Sequence, residues 1–226
     1  MKSLIKSTIA GVLLVTCNVS FATELNTDKQ KFSYAMGVNL ASLLKSQGIS
    51  DLDASVMAAA MNDVLSNQPL KMDIDAMKLA IENQQKKMQS AANQAAADKQ
   101  QKGEAFLAKN AKAKGVTVLD NGLQYLVLKS GSGKQPAATD KVKVHYHGTL
   151  IDGSVFDSSV ERGEPASFPL NGVIAGFREA IVRMHVGDKW RIFVPSELGY
   201  GERGAGKSIG PNETLIFEVE LLEIEG

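Results

Sequence analysis

The stretch KVKVHYHGTLIDGSVFDSS, residues 141–159, decides how the chain folds. Over 141–150 Val142, Val144 and Tyr146 share one face, and Lys141, Lys143, His145 and His147 share the other. A period of two puts successive side chains on opposite faces of a pleated strand, so the segment reads as a strand with one buried face. Asp152-Gly153 supplies a tight turn that returns the chain through Val155-Phe156 as an antiparallel hairpin. Working outward, the alternation returns at 189–194, with Trp190, Ile192 and Val194 together, and at 214–224, with Leu215, Phe217, Val219 and Leu221 together. A short apolar run at 123–128 follows the turn Asp120-Asn121-Gly122. One segment changes period. Over 173–184, Val173, Phe177, Ala180, Ile181 and Met184 recur at helical spacing. These elements predict an α+β domain: about five antiparallel strands in a half-barrel wrapped on one short helix.

Upstream of residue 113 the composition changes. Residues 23–112 contain three glycines, one proline and six of the eight methionines, whereas 113–226 contain sixteen glycines, five prolines and nine of the thirteen aromatics. Glycine and proline punctuate turns and aromatics favour strands, so the first part is predicted all-α and the second mostly β. A first helix spans 28–46, with Thr27 as N-cap and Gly48 as stop. Phe32, Met36, Leu40, Leu43 and Leu44 form its stripe. A second spans 53–66, with Val56, Met57, Ala60, Met61, Val64 and Leu65 on one face. A third opens near Asp73 and continues to about Lys112; beyond Met88 its apolar face fades into alanines. Such a helix suits a solvent-standing connector. Helices this few cannot enclose a core. The Met-rich stripes are therefore expected to pack on the same segment of a second chain, with packing on the C-terminal domain as the alternative.

The whole chain has 226 residues, 25 basic and 25 acidic, with 44% hydrophobic and 22% charged residues. That balance argues against electrostatic nucleic-acid binding and against wholesale disorder. One cysteine, Cys17, excludes a disulfide framework. His145 and His147, without a third His, Cys or well-placed acid, read as a polar strand face. The glycine-rich stretch 199–206 lacks the Lys-Ser/Thr ending of a phosphate loop and reads as a mobile loop. Residues 1–22 carry Lys2 and Lys6, a short apolar run and Ser20-Phe21-Ala22, the pattern of a cleaved secretory signal peptide; a lipoprotein signal ending at Cys17 is the alternative. The run is too short to span a bilayer. The domain boundaries are thus 1–22, 23–112 and 113–226. The expected compartment is the periplasm, with outer-membrane association or secretion as variants.

Four motifs in the C-terminal part stand in a familiar order: Val144-His145-Tyr146-His147-Gly148, Asp152-Gly153-Ser154-Val155-Phe156-Asp157-Ser158-Ser159, Leu198-Gly199-Tyr200-Gly201 and Phe217-Glu218-Val219-Glu220-Leu221-Leu222. Together they resemble the FK506-binding protein (FKBP) family of peptidyl-prolyl cis-trans isomerases over residues 113–226. The helical part resembles the N-terminal domain of the macrophage infectivity potentiator (Mip) group, through Asp28 to Gly37 and Lys102 to Leu107.

The resemblance implies a proline pocket lined by Tyr146, Phe156, Val173, Ile174 and Phe217, with Phe168 and Ile209 beside them. It implies polar contacts from Asp157 and Tyr200 at the rim, a backbone N–H from Ile174 to a substrate carbonyl, and Arg162 paired with Asp157. Two positions depart from the family pattern: the floor is Phe177 in place of Trp, and Ala166 replaces a frequent aromatic. Implied partners are proline-containing unfolded or secreted proteins, a second copy bound through 23–112, and ligands of the FK506 and rapamycin type. No cofactor or metal is implied, and neither nucleic acid nor an integral membrane span. The residue set fits the chemistry. Amide rotation costs about 18–20 kcal/mol because resonance keeps the bond planar. An apolar aromatic cavity disfavours the charge-separated planar amide relative to the twisted one.

Overall fold

The computed structural model describes residues 24–225, so the expected signal peptide and Cys17 lie outside the described residues. The chain divides into two compact units at Asp73/Ile74.

The first unit holds α1 (Asp28–Ser46) and α2 (Ala54–Leu65). Thr27 caps α1 through a capping box. Its Oγ1 accepts from the Gln30 N–H at 3.2 Å, and Gln30 Oε1 accepts from the Thr27 N–H at 2.9 Å. Gly48 takes φ +77° just past the end of α1, a conformation a side chain would strain. Asp53 Oδ1 caps α2 by accepting from the Ser55 and Val56 N–H groups at 2.9 and 3.1 Å. Neither helix buries a residue. Phe32 is 68% exposed and Leu65 81%.

The second unit opens with α3 (Ile74–Asn110), 37 residues or about 55 Å at 1.5 Å per residue. The sequence predicts a solvent-standing connector; the first part of α3 is largely exposed, but its later part is not free-standing. From Ala96 onward the helix lies on the β domain. Asn212 Nδ2 donates to Ala96 O at 3.3 Å, Gln124 Nε2 donates to Leu107 O at 2.9 Å, and Asn110 Nδ2 donates to Gln124 Oε1 at 2.9 Å. Phe106 packs on Phe193 with ring centroids 5.9 Å apart. The docking face uses carbonyls, a glycine, an amide, a lysine paired with Glu213 and a single ring, so hydrophobic periodicity cannot see it.

The sheet has seven antiparallel strands: β1 (Val116–Val118), β2 (Gln124–Lys129), β3 (Lys141–Leu150), β4 (Val155–Ser158), β5 (Ala166–Pro169), β6 (Lys189–Val194) and β7 (Leu215–Glu225). Their order is β1-β2-β6-β7-β3-β4, with β5 paired on β3. The two strands beyond the expected five, β1 and β5, have three and four residues and are too short to show a period. The short helices are α4 (Ser159–Arg162) and α5 (Ala175–Ile181). Phe177, Ala180 and Ile181 of α5, followed by Met184, are buried against Val142, Val144, Ile192, Leu215, Val219 and Leu221 of the sheet. The stretch 199–206, read as a mobile loop, contains a 3-10 turn at Gly201–Arg203 and a bridge between Ala205 and Ile209.

Candidate functional site

One strand irregularity sets up the site. Along the β3–β4 pair Gly148 faces Asp157, but Thr149 faces Val155, so Phe156 is an extra, bulged residue. Neighbours on a regular strand point to opposite faces. The bulge breaks that rule, and Phe156 and Asp157 both line one cavity. Gly148 makes room for it, because a Cβ there would lie 2.6 Å from the Phe156 ring and 3.2 Å from Phe217.

The cavity measures about 520 Å³. Its walls come from Tyr146 on β3, Phe156 and Asp157 on β4, Phe168 on β5, Phe217 on β7, Val173 and Ile174 ahead of α5, Phe177 on α5, and the loop that carries Tyr200 and Ile209. Ten residues singled out from sequence thus converge on one space. The eleventh, Arg162, reaches it through Asp157. Sequence reasoning missed Gly172, Ala205, Gly206, Lys207 and Ser208 as lining residues. Four of them sit in or just past the glycine-rich stretch, and that composition was the available signal.

Phe177 is the hub of the aromatic wall. It is 4% exposed and meets Phe217 at 5.1 Å and 72°, Phe168 at 5.7 Å and 66°, and Tyr146 at 6.2 Å and 80°. Phe156 completes the set edge-on to Phe217 at 5.3 Å and 84°. These tilted geometries set the positive edge of one ring toward the negative face of the next. Phe168 is edge-on to Tyr146 at 6.4 Å, so an aromatic is present in this wall although Ala166 is small.

One polar cluster borders the aromatic wall. The Tyr146 hydroxyl and the Arg162 guanidinium both donate to Asp157, and Arg162 also donates to Tyr146 Oη at 3.0 Å, with its guanidinium carbon 5.7 Å from the Tyr146 ring centre. Burial works against the charge on Asp157, but the bonds from Tyr146 and Arg162 outweigh it and hold the carboxyl below its ordinary value. Burial, then the bond to Asp157, raises the Tyr146 hydroxyl. The bonds to Tyr146 and Asp157 raise Arg162. The acid is therefore ionised and paired, and the phenol stays neutral. Ile174 precedes the first turn of α5, and among the described residues no backbone acceptor takes its N–H.

Two serines anchor this edge. Ser159 Oγ accepts from the Tyr146 N–H at 2.8 Å and lies 3.1 Å from His145 Nδ1. Ser158 caps α4 by accepting from the Glu161 N–H at 3.1 Å and lies 3.0 Å from His147 Nδ1. Both histidines thus hold the segment that carries Arg162.

Comparison with known proteins gives the family. Residues 132–222 match the model of the FKBP-type peptidyl-prolyl cis-trans isomerase domain, and 29–127 match the domain amino-terminal to it. The chain is 44% identical over 199 residues to the FKBP-type 22 kDa peptidyl-prolyl cis-trans isomerase of Escherichia coli K12, covering 88% of this chain and 97% of that protein. It is 41% identical over 227 residues to the outer membrane protein MIP of Legionella longbeachae, covering 98% and 97%. Among solved structures, FkpA from Escherichia coli aligns with a TM-score of 0.70 at 36% identity, over 89% of this chain and 99% of that one. With the fold, the order of the motifs and the aromatic cavity in agreement, the chain belongs to the FKBP-type peptidyl-prolyl cis-trans isomerase family, in its Mip- and FkpA-like branch.

Proposed function

We propose that the 520 Å³ cavity binds the proline ring of an Xaa-Pro segment and accelerates rotation about the preceding amide. The observation that carries this reading is an aromatic wall whose only carboxylate is already neutralised by Arg162 and Tyr146. Such a space withdraws water from the amide. The planar form loses more solvation than the twisted form, because it holds more separated charge. No bond is made or broken. Each tenfold of rate needs about 1.4 kcal/mol of preference for the twisted state. Phe177 forms the floor and Phe217, Phe156 and Tyr146 the walls. Tyr200 and the Ile174 N–H hold the substrate carbonyls, and Asp157 sets the field at the rim. Ligands of the FK506 type would occupy the same space.

The proposed setting is the cell envelope. A signal-like start, and a relative named as an outer membrane protein, support export to the periplasm. No described helix is long and apolar enough to cross a membrane. The open stripes of α1 and α2 support assembly as a homodimer through 23–112, which would also allow the paired chains to hold unfolded clients. The deciding experiment is a protease-coupled assay with a proline peptide, with and without an FK506-type ligand. Acceleration abolished by the ligand is expected; an inert protein would overturn the reading. Suppression of aggregation by the full chain under saturating ligand tests the holding activity separately.

A further inference from the structure

Residues 210–214 connect the cavity wall to β7 and run along one face of α3. Ala96, Lys99 and Gly103 stand at i, i+3 and i+7, so they share that face. Each meets a different residue of the segment. Ala96 O accepts from Asn212 Nδ2 at 3.3 Å. Lys99 pairs with the carboxylate of Glu213, and Glu213 is only 7% exposed. Gly103, the one buried residue of α3, faces Thr214, and a Cβ there would collide with Thr214 Oγ1. A buried carboxylate is costly without its partner, and here the partner comes from 114 residues away.

The same segment closes the loop that lines the cavity. The Asn212 N–H donates to Gly201 O at 2.9 Å. Ala205 and Ile209 exchange backbone bonds of 2.8 and 3.2 Å. Asn212 sits at φ +57°, a left-handed conformation that asparagine tolerates better than most residues. Its backbone shuts the loop while its side chain reaches α3. Lys99 Nζ would lie 2.7 Å from a Cβ at Gly210, so the lysine covers the residue directly after Ile209.

We propose that Lys99 and Gly103 are positioning residues for the isomerase pocket: α3 is a splint that holds the 199–214 loop, and with it Tyr200 and Ile209, in the proline-binding arrangement. This rests on the pocket reading above and makes the helix a working part of the site. When the splint is weakened the loop spends time displaced, and apparent substrate affinity falls by the fraction that stays competent.

The test uses the full chain with Gly103→Ala, Lys99→Met and Glu213→Gln, each checked for folding by circular dichroism. Gly103→Ala is the sharpest, because alanine favours the helix while pushing on Thr214. The expected result is a KM on short proline peptides raised about three- to tenfold, with kcat within about twofold. Gly103→Ala with Thr214→Ala, and Lys99→Glu with Glu213→Lys, should each return KM to within about twofold of the parent. Lys86→Ala breaks an exposed pair with Glu82 on the same helix and should change nothing. Folded variants with parental KM, or failed rescue in both pairs, would overturn the inference. If the parent protein itself is inert, the pocket reading fails instead. The splint is then read from Tyr200 ring resonances, which shift in Gly103→Ala if it exists and stay put if it does not.

Discussion

At the scale of single residues, the rim cluster separates electrostatic from proton-transfer roles. Asp157 is held by Tyr146 and Arg162 with its carboxyl below the ordinary value, so it has no proton to give, and the role proposed for it is to shape a field. Asp157→Leu should lower kcat/KM about tenfold, equivalent to ~1.4 kcal/mol of transition-state preference, while the circular dichroism spectrum stays that of the parent. An active Asp157→Leu protein would refute the assigned role. The pH dependence follows from the same shifts. Asp157 has a depressed folded value, so its stabilising share is complete above its ordinary 3.8 and is lost as pH falls through that lower value. Tyr146 has a raised folded value, so its share is complete below its ordinary 10.0 and is lost as pH rises through the higher one. Both windows lie outside pH 6–8, so neither Asp157 nor Tyr146 should make kcat/KM vary there. A bell-shaped profile in that range would reveal a general acid or base.

At the scale of elements, α3 carries two jobs along its length. Its first part is exposed, and its last third supplies Leu107 O and Asn110 Nδ2 to the buried Gln124 and Phe106 to Phe193. A fragment starting at residue 113 loses all of these, whereas one starting at Ile74 keeps them. The shorter fragment should therefore melt lower by several degrees, since each lost hydrogen bond is worth about 0.5–1.5 kcal/mol net. Equal melting temperatures would return α3 to the status of a simple connector, the role its alanine-rich sequence suggests.

At the scale of the whole molecule, the exposed stripes call for a partner. Phe32, Met36 and Leu43 of α1 and Val56, Met61 and Val64 of α2 are each about half exposed or more. A second copy presents the same surface, which a two-fold interface requires. Light scattering at micromolar concentration should give twice the chain mass. Met57→Glu with Met61→Glu should halve it, because two unpaired charges would be buried at the contact. Short-peptide activity should survive that change within a few-fold, as both residues lie outside the unit that contains the cavity. A monomeric parent protein would sink the dimer.

What the sequence determines by itself is periodic and local. The alternation of β3 and β7, the cap at Thr27, and the helical spacing through Phe177 and Ile181 are readable because each follows from residue type and spacing among near neighbours. The motifs around Tyr146, Phe156 and Tyr200 add the family, and the family names most of the cavity wall. The tertiary structure decides what depends on long-range pairing. The bulge that turns Phe156 and Asp157 to one side exists only because β3 pairs with β4 out of step. The buried state of Glu213 exists only because Lys99 arrives from α3. The glycine-rich stretch becomes cavity wall only when Asn212 closes it on Gly201. In each case the deciding contact joins residues of different segments, as many as 114 positions apart, where no local period records it.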